Sequence, residues 1–341
     1  MIALLKKDAT QADISRLVSS LEGKHAHCDV SASNEGTVVT ISGNSKSISP
    51  LELEANPIVS KVICLSTPQY GALRSSKSQD TVVDCGFDCK IGGGNFQLIA
   101  GPCAVEENNL FKIAQAVKSS GASMLRGGAF KPRTSPYSFQ GLGEKGLKLL
   151  SQVREELRMS VVTEIMDVRD IEMFLTYNID VLQVGARNCQ NFTLLNELGK
   201  LSKPILLKRG MSVTLEELLQ AAEYILAQGN DQVILCERGI RGFGTHARNT
   251  FDVNAIPALK ELTHLPVIAD PSHATGKASL VNAISCAACA AGADGLEIEV
   301  HTDPVHAASD GKQSLSPEMF EQTAQKVFAI RSIVAPHSDR A

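Results

Sequence analysis

The sequence contains no tryptophan and only four tyrosines among 341 residues, which excludes a surface of stacked aromatic rings of the kind that grips single-stranded nucleic acid. Nor does charge of one sign accumulate. A formal net charge of −4, with 21% of residues charged, gives no global attraction to nucleic acid or to an acidic membrane, so cations must act locally. No apolar run approaches the ~20 residues needed to span a bilayer. The opening MIALLKKDATQADISRL carries its lysines behind a very short apolar run and has no small-residue cleavage site, so it does not read as a secretory signal. The cytosol is the expected compartment. Nine cysteines, an odd number spread over a long chain, suit reduced thiols better than a disulfide framework. Cys286 and Cys289 form a lone C-x-x-C inside SLVNAISCAACAAGA; without a second pair to complete a zinc site, they read as helix packing.

What is present falls into two parts. Residues 1–65 read as strand, helix, strand, strand, helix, strand. IALL precedes a helix with Ile14, Leu17, Val18 and Leu21 on one face and Thr10 and Asp13 placed as a capping box. HCDVSA, TVVTIS, a short segment around Pro50 to Ala55, and VSKVICL complete a small α+β, ferredoxin-like order. Residues 66–80 are polar and serine-rich and read as a linker. The rest, 81–341, begins with a hairpin in TVVDCGFDCKIGGGNFQ. Eight short apolar runs follow: FQLIAG, MLRGGA, VVTEIM, VLQVGA, ILLKR, VILCER, VIADP and GLEIEV. The segments between them keep helical spacing, as in Leu110, Ile113, Ala114 and Val117 or Leu215, Leu218, Leu219 and Ala222. Repeated βα units of this number predict an α/β fold, a (β/α)8 TIM barrel preceded by the small domain. A doubly wound sheet is the runner-up, but no GxGxxG follows a strand.

Barrel chemistry gathers at the C-terminal strand ends, and ionisable residues stand there in every run: Cys103, Arg126, Glu164, Arg187, Lys208 with Arg209, Glu237 with Arg238, Asp270 with His273, and Glu297, Glu299 and His301. On this assignment Arg126, Lys131, Arg133, Arg187, Lys208 and Arg238 converge on one cavity. Six like charges repel one another unless anions offset them, and phosphate or carboxylate suits planar guanidinium groups. Any one of the six alone reads equally well as a solvated surface charge. In KPRTSPYSFQGLG, Pro132 and Pro136 stiffen a loop in which Thr134 and Ser135 add hydroxyls beside Arg133. Cys103, His273, Glu299 and Asp310 offer a thiolate, an imidazole and two carboxylates, a set suited to one divalent ion of Mn, Fe, Co or Zn. In a barrel, ligands come from different strands, so no short spacing need mark them. The residues alone leave open a hydrophobe-like buried Cys103 and a core-satisfied His273. Glu297, two residues before Glu299, faces the same way deeper in the barrel and reads as the partner of a cation or water.

The ordered set GPCAVE, LRGGAFKPRTSPYSFQGLG, QVGARN, LLKRG, LCERGIR, DPSH, EIEVH and SDGKQSL resembles the 3-deoxy-D-arabino-heptulosonate 7-phosphate (DAHP) synthase family. The form is the microbial one with an N-terminal ferredoxin-like regulatory domain, and the resemblance runs over residues 1–335. It implies condensation of phosphoenolpyruvate with erythrose 4-phosphate and release of phosphate, the first step of the shikimate pathway. Arg126, Lys131 and Lys208 would then hold the phosphoenolpyruvate carboxylate and the region of its reacting carbon, Arg187 and Arg238 its phosphate, and Arg133 and Thr134 the erythrose phosphate. Cys103, His273, Glu299 and Asp310 match the family's metal ligands, and a divalent metal would act as Lewis acid on the aldehyde oxygen. Lys131 is the expected proton donor to that oxygen, and Asp270 is expected to orient a water or His273. The sequence departs from the family pattern at Glu297, where an apolar residue is expected. It departs again at Asp29, beside Ser31, where tyrosine-inhibited relatives carry histidine. Feedback by tyrosine or phenylalanine, or its loss, stays open. The resemblance also implies a homotetramer.

Rival readings are the sister synthase acting on arabinose 5-phosphate, against which Pro132 to Ser135 speak, a Schiff-base aldolase using Lys208 or Lys131, and an inactive barrel serving an amino-acid sensor. A fused chorismate mutase would be a helical bundle, unlike the strand-rich first 65 residues.

Overall fold

The computed structural model describes residues 1–24, 26–33, 36–43, 48–63, 71–132 and 135–334. The chain forms two compact units, Met1–Gln69 and Tyr70–Ala341. In the first, strands β1 (Ile2–Leu5), β2 (Ala26–Ser33), β3 (Gly36–Gly43) and β4 (Val59–Ile63) make one sheet in the order β2-β3-β1-β4, with antiparallel pairing throughout. Helices Gln11–Glu22 and Pro50–Glu54 supply the other elements of the ferredoxin-like order. Period-2 alternation in β1 sends Ala3 and Leu5 inward. They share one core with Val39, Ile41, Leu53, Val59 and the Ile14, Leu17 and Leu21 stripe of the first helix. That helix starts where its capping box dictates: Asp13 N donates to Thr10 Oγ1 at 3.3 Å, and Thr10 N donates to Asp13 Oδ2 at 3.2 Å.

The second unit opens with a short antiparallel hairpin, β5 (Val83–Asp84) and β6 (Lys90–Ile91). Eight parallel strands then close into a barrel: β7 (Gln97–Gly101), β8 (Met124–Arg126), β9 (Ser160–Ile165), β10 (Val181–Val184), β11 (Ile205–Lys208), β12 (Val233–Glu237), β13 (Val267–Ala269) and β14 (Gly295–Glu299). β14 pairs with β7, so no sheet edge remains. Of the segment read as linker, 66–70 lie outside the described residues, whereas 71–80 are tied to the barrel. Arg74 N donates to Leu262 O at 2.8 Å, and its guanidinium donates to Thr263 O at 2.7 Å and Lys260 O at 3.1 Å. Its polar composition reflects hydrogen bonds made to the barrel, which a reading of apolar periodicity does not register.

Strand parity builds the interior in layers. Outward residues such as Leu98, Leu125, Val161, Leu182, Leu207, Leu235 and Leu296 join the stripes of the surrounding helices in one large core. Inward, Ile99, Met124, Val162, Val181, Leu206, Ile234 and Ile268 form an apolar layer, and the hairpin closes it with Val83, Cys85, Cys89 and Ile91. Two residues further along each strand the same inward direction must come round again. That step carries Met124 to Arg126, Val162 to Glu164, Val181 to Gln183, Leu206 to Lys208 and Ile268 to Asp270, all buried. Cys289 packs within helix Ala278–Ala290 against helix Pro317–Val334, its thiol 3.6 Å from Val327 O.

Candidate active site at the carboxyl end of the barrel

A cavity of about 330 Å³ opens above the polar layer, lined among others by Arg126, Lys131, Arg187, Lys208, Arg238 and His273. Five of the six cations read from the sequence therefore meet there; Arg133, with Thr134, lies outside the described residues. The five divide by their partners. Arg126 is buried, with Nη1 2.7 Å from Glu299 Oε1 and Nε 3.3 Å from Glu297 Oε1. Lys208 Nζ contacts Asp270 Oδ2 and lies 2.7 Å from Glu297 Oε1. Burial opposes its charge, yet these carboxylates hold the ammonium above its ordinary pKa. Much of the repulsion expected among the cations is thus relieved by the protein itself. Arg187 and Arg238, by contrast, have no carboxylate partner among the described residues. Burial, reinforced by the neighbouring Arg248, lowers the pKa of Arg238 despite the opposing pull of Asp270.

Glu297 resolves into a structural role. Its carboxylate bridges Arg126 and Lys208, and the Gln183 amide nitrogen, turned toward it, lies 3.1 Å from Oε2. An acid at this apolar-expected position is stabilised because two buried cations and an amide surround it.

Four donors meet at one side of the cavity. One ligand atom from each of Cys103, His273, Glu299 and Asp310 lies within 4.8 Å of the others, about the spread allowed by bonds of ~2.0–2.3 Å to one ion. Cys103 Sγ is 3.3 Å from Asp310 Oδ2, and His273 Nε2 is 3.3 Å from Glu299 Oε1 and 3.9 Å from Asp310 Oδ2. Asp270 Oδ2 is 2.7 Å from His273 Nδ1, and its Oδ1 accepts from His273 N at 2.9 Å. The imidazole is thereby turned so that Nε2 faces the other donors. Burial disfavours its charged form, but Asp270 and Glu299 outweigh burial and raise its pKa to about 9. Glu299 is buried and Asp310 half-buried, yet His273 holds both below the usual carboxylate range, aided by Arg126 and Arg248 respectively. The soft and hard donors together fit a borderline divalent ion. A second acidic group, Asp270, His273 and Glu297, already holds the ammonium of Lys208.

Lys131 Nζ lies 2.9 Å from Cys103 O and 3.0 Å from Sγ, beside the donor cluster and facing the cavity. Two glycines make this layout fit. A Cβ at Gly185 would lie 1.9 Å from Glu164 Oε1, and one at Gly101, whose φ is +154°, would lie 2.1 Å from Arg126 O. Sequence reasoning missed Arg248, which lines the cavity and reaches Asp310 Oδ1 at 3.6 Å; it sits on an exposed, aperiodic loop where no pattern announces it. Asp29 and Ser31 lie on β2, exposed, far along the chain from these groups, with His27 Nε2 3.9 Å from Asp29 Oδ1.

Comparison with known proteins adds identity to this geometry. Residues 72–335 match the DAHP synthetase I family, and residues 1–67 match the DAHP synthase ferredoxin-like domain. The chain is 45% identical over 328 residues, 96% of each protein, to the phospho-2-dehydro-3-deoxyheptonate aldolase of Thermotoga maritima. A crystal structure of DAHP synthase from that organism aligns with a TM-score of 0.82 at 43% identity over 98% of both chains. The 2-dehydro-3-deoxyphosphooctonate aldolase of Koribacter versatilis is 33% identical over 273 residues, 73% of this chain and 96% of that protein. A closed eight-stranded barrel with this donor set, behind a ferredoxin-like unit, accordingly belongs to the DAHP synthetase I family.

Proposed function

We propose that the protein condenses phosphoenolpyruvate with erythrose 4-phosphate, giving DAHP and phosphate, with the barrel as the catalytic part. The observation that carries this reading is the cavity in which arginines without a carboxylate partner among the described residues adjoin the Cys103, His273, Glu299 and Asp310 cluster. Arg187 and Arg238 receive the phosphate of phosphoenolpyruvate, while Arg126, Lys131 and Lys208 hold its carboxylate and the region of the reacting carbon. Arg133 and Thr134 take the phosphate of the aldose. A divalent ion held by the four donors, Mn, Fe, Co or Zn, would supply Lewis acidity toward the aldehyde oxygen. Lys131, whose Nζ adjoins Cys103, gives a proton to that oxygen as the new C–C bond forms. Positive charge develops at C2, water adds there, and the C–O bond to phosphate breaks. Asp270 keeps His273 oriented throughout.

A Schiff-base lysine needs a depressed pKa, whereas Lys208 is ion-paired and its pKa is raised. That observation speaks against Lys208 as a Schiff-base lysine. The test is phosphate release from phosphoenolpyruvate with either aldose. Erythrose 4-phosphate should be the better acceptor by a wide margin; preference for arabinose 5-phosphate would assign the chain to the chemistry of the octonate aldolases. Residues 1–65 act, on this reading, as a regulatory domain that binds an aromatic amino acid near Asp29 and Ser31, within a homotetramer. Insensitivity to tyrosine and phenylalanine alike would remove that part.

A further inference from the structure

We propose that Glu106 and His301 are positioning residues that clamp the loop carrying Asp310 onto the loop carrying Cys103, and so set the affinity of the four-donor site. The inference rests on the reading of that cluster as a metal site. Glu106 follows Cys103 by three residues, after β7, and His301 follows Glu299 by two, after β14. The end of β14 and the two loops therefore bring three of the four donors, Glu299, Cys103 and Asp310.

Between β14 and Asp310 the chain is largely exposed. Val305 is 87% exposed, and Asp310 itself adopts φ +52°, a left-handed conformation that aspartate tolerates better than most non-glycine residues. Glu106 supplies a tether. Its Oε1 accepts from Ala308 N at 2.8 Å, two residues before Asp310. The same oxygen lies 3.3 Å from Nε2 of the buried His301. Asp303 N donates to His301 Nδ1 at 3.0 Å, which leaves the ring proton on Nε2, facing Glu106. The approach is not aligned as a hydrogen bond, and Nε2 has no other partner among the described residues; the carboxylate is the group that compensates this buried donor. One side chain thus meets both ends of the 301–308 segment. Its result is visible at the cluster, where Ser309 Oγ lies 3.2 Å and Asp310 Oδ2 3.3 Å from Cys103 Sγ. A donor held in place before the ion arrives loses less freedom on binding, and partners behind metal ligands commonly change affinity by ~10–100-fold.

The test uses the full-length protein and cobalt(II), whose thiolate charge-transfer band reports coordination by Cys103 without any turnover measurement. E106A should weaken cobalt binding by ~10–100-fold and lower the melting temperature of the metal-free protein modestly, since Ala308 N loses its acceptor and His301 Nε2 its facing carboxylate. E106Q keeps an acceptor for Ala308 N and should fall between wild type and E106A. A wild-type band with E106A binding within about twofold of wild type, on the scale of effects given for such partners, would overturn the clamp alone. Absence of the band from wild type would overturn both the clamp and the metal site. Should E106A fail to fold, E106Q decides: unchanged affinity rejects the clamp and weakened affinity supports it.

Discussion

Charges in the barrel mouth divide into those the protein satisfies and those it leaves for a ligand, and the division is set residue by residue. Glu297 belongs to the first group. Replacing it with leucine leaves Arg126 and Lys208 buried with fewer counter-charges, and removing one partner of such a buried network costs about 3–5 kcal/mol. Denaturant unfolding of E297L should show a loss of that order, and unchanged stability would mean the cations had found other partners. On the proposed reading Lys131 is the proton donor: K131M should lower turnover far more than bound metal, and unchanged turnover would remove the lysine from the mechanism. His273 links the site to pH. Below about 9 the metal-free imidazole carries a proton, which a ligating nitrogen must release. Calorimetry at pH 7 in buffers of different ionisation enthalpy should detect at least one proton released per manganese ion, with affinity weakening as pH falls. Binding without proton release would contradict His273 as a ligand.

At the scale of elements, the barrel strands were legible as short apolar runs recurring between helical segments, because they are buried on both faces. The step from an apolar inward residue to a polar one two places on, as from Leu206 to Lys208 or Ile268 to Asp270, is written in the sequence and needs only the strand assignment to be read. Loops lack such a period. Arg248 could not be found from pattern because its position depends on how residues 239–250 fold back, with Ile240 bridging Thr250. The hydrogen bonds of residues 71–80 to the barrel were equally invisible, since those of Arg74 end on backbone carbonyls, which every sequence possesses. The hairpin that closes the apolar layer gives a test at this scale. Ile91 is fully buried in that layer, and I91D would place a carboxylate there without a partner. It should lower the melting temperature markedly while the aspartate at exposed position 88 tolerates replacement by asparagine; equal tolerance at both would mean the hairpin is not part of the barrel core.

For the molecule as a whole, two compact units carry separate parts of the proposal. Fold and family were readable from the sequence because eight strand-end motifs occur in order, and their order is what a closed parallel barrel requires. The effector was not, because Asp29 stands where tyrosine-inhibited relatives carry histidine while Ser31 keeps the family pattern. The central claim is a metal-dependent condensation. Its most direct measurement follows phosphoenolpyruvate consumption in the presence of erythrose 4-phosphate, first with chelator-treated protein and then with manganese restored. The arrangement of Cys103, His273, Glu299 and Asp310 predicts activity that disappears with the metal and returns with it. Full activity after rigorous metal removal would contradict the account.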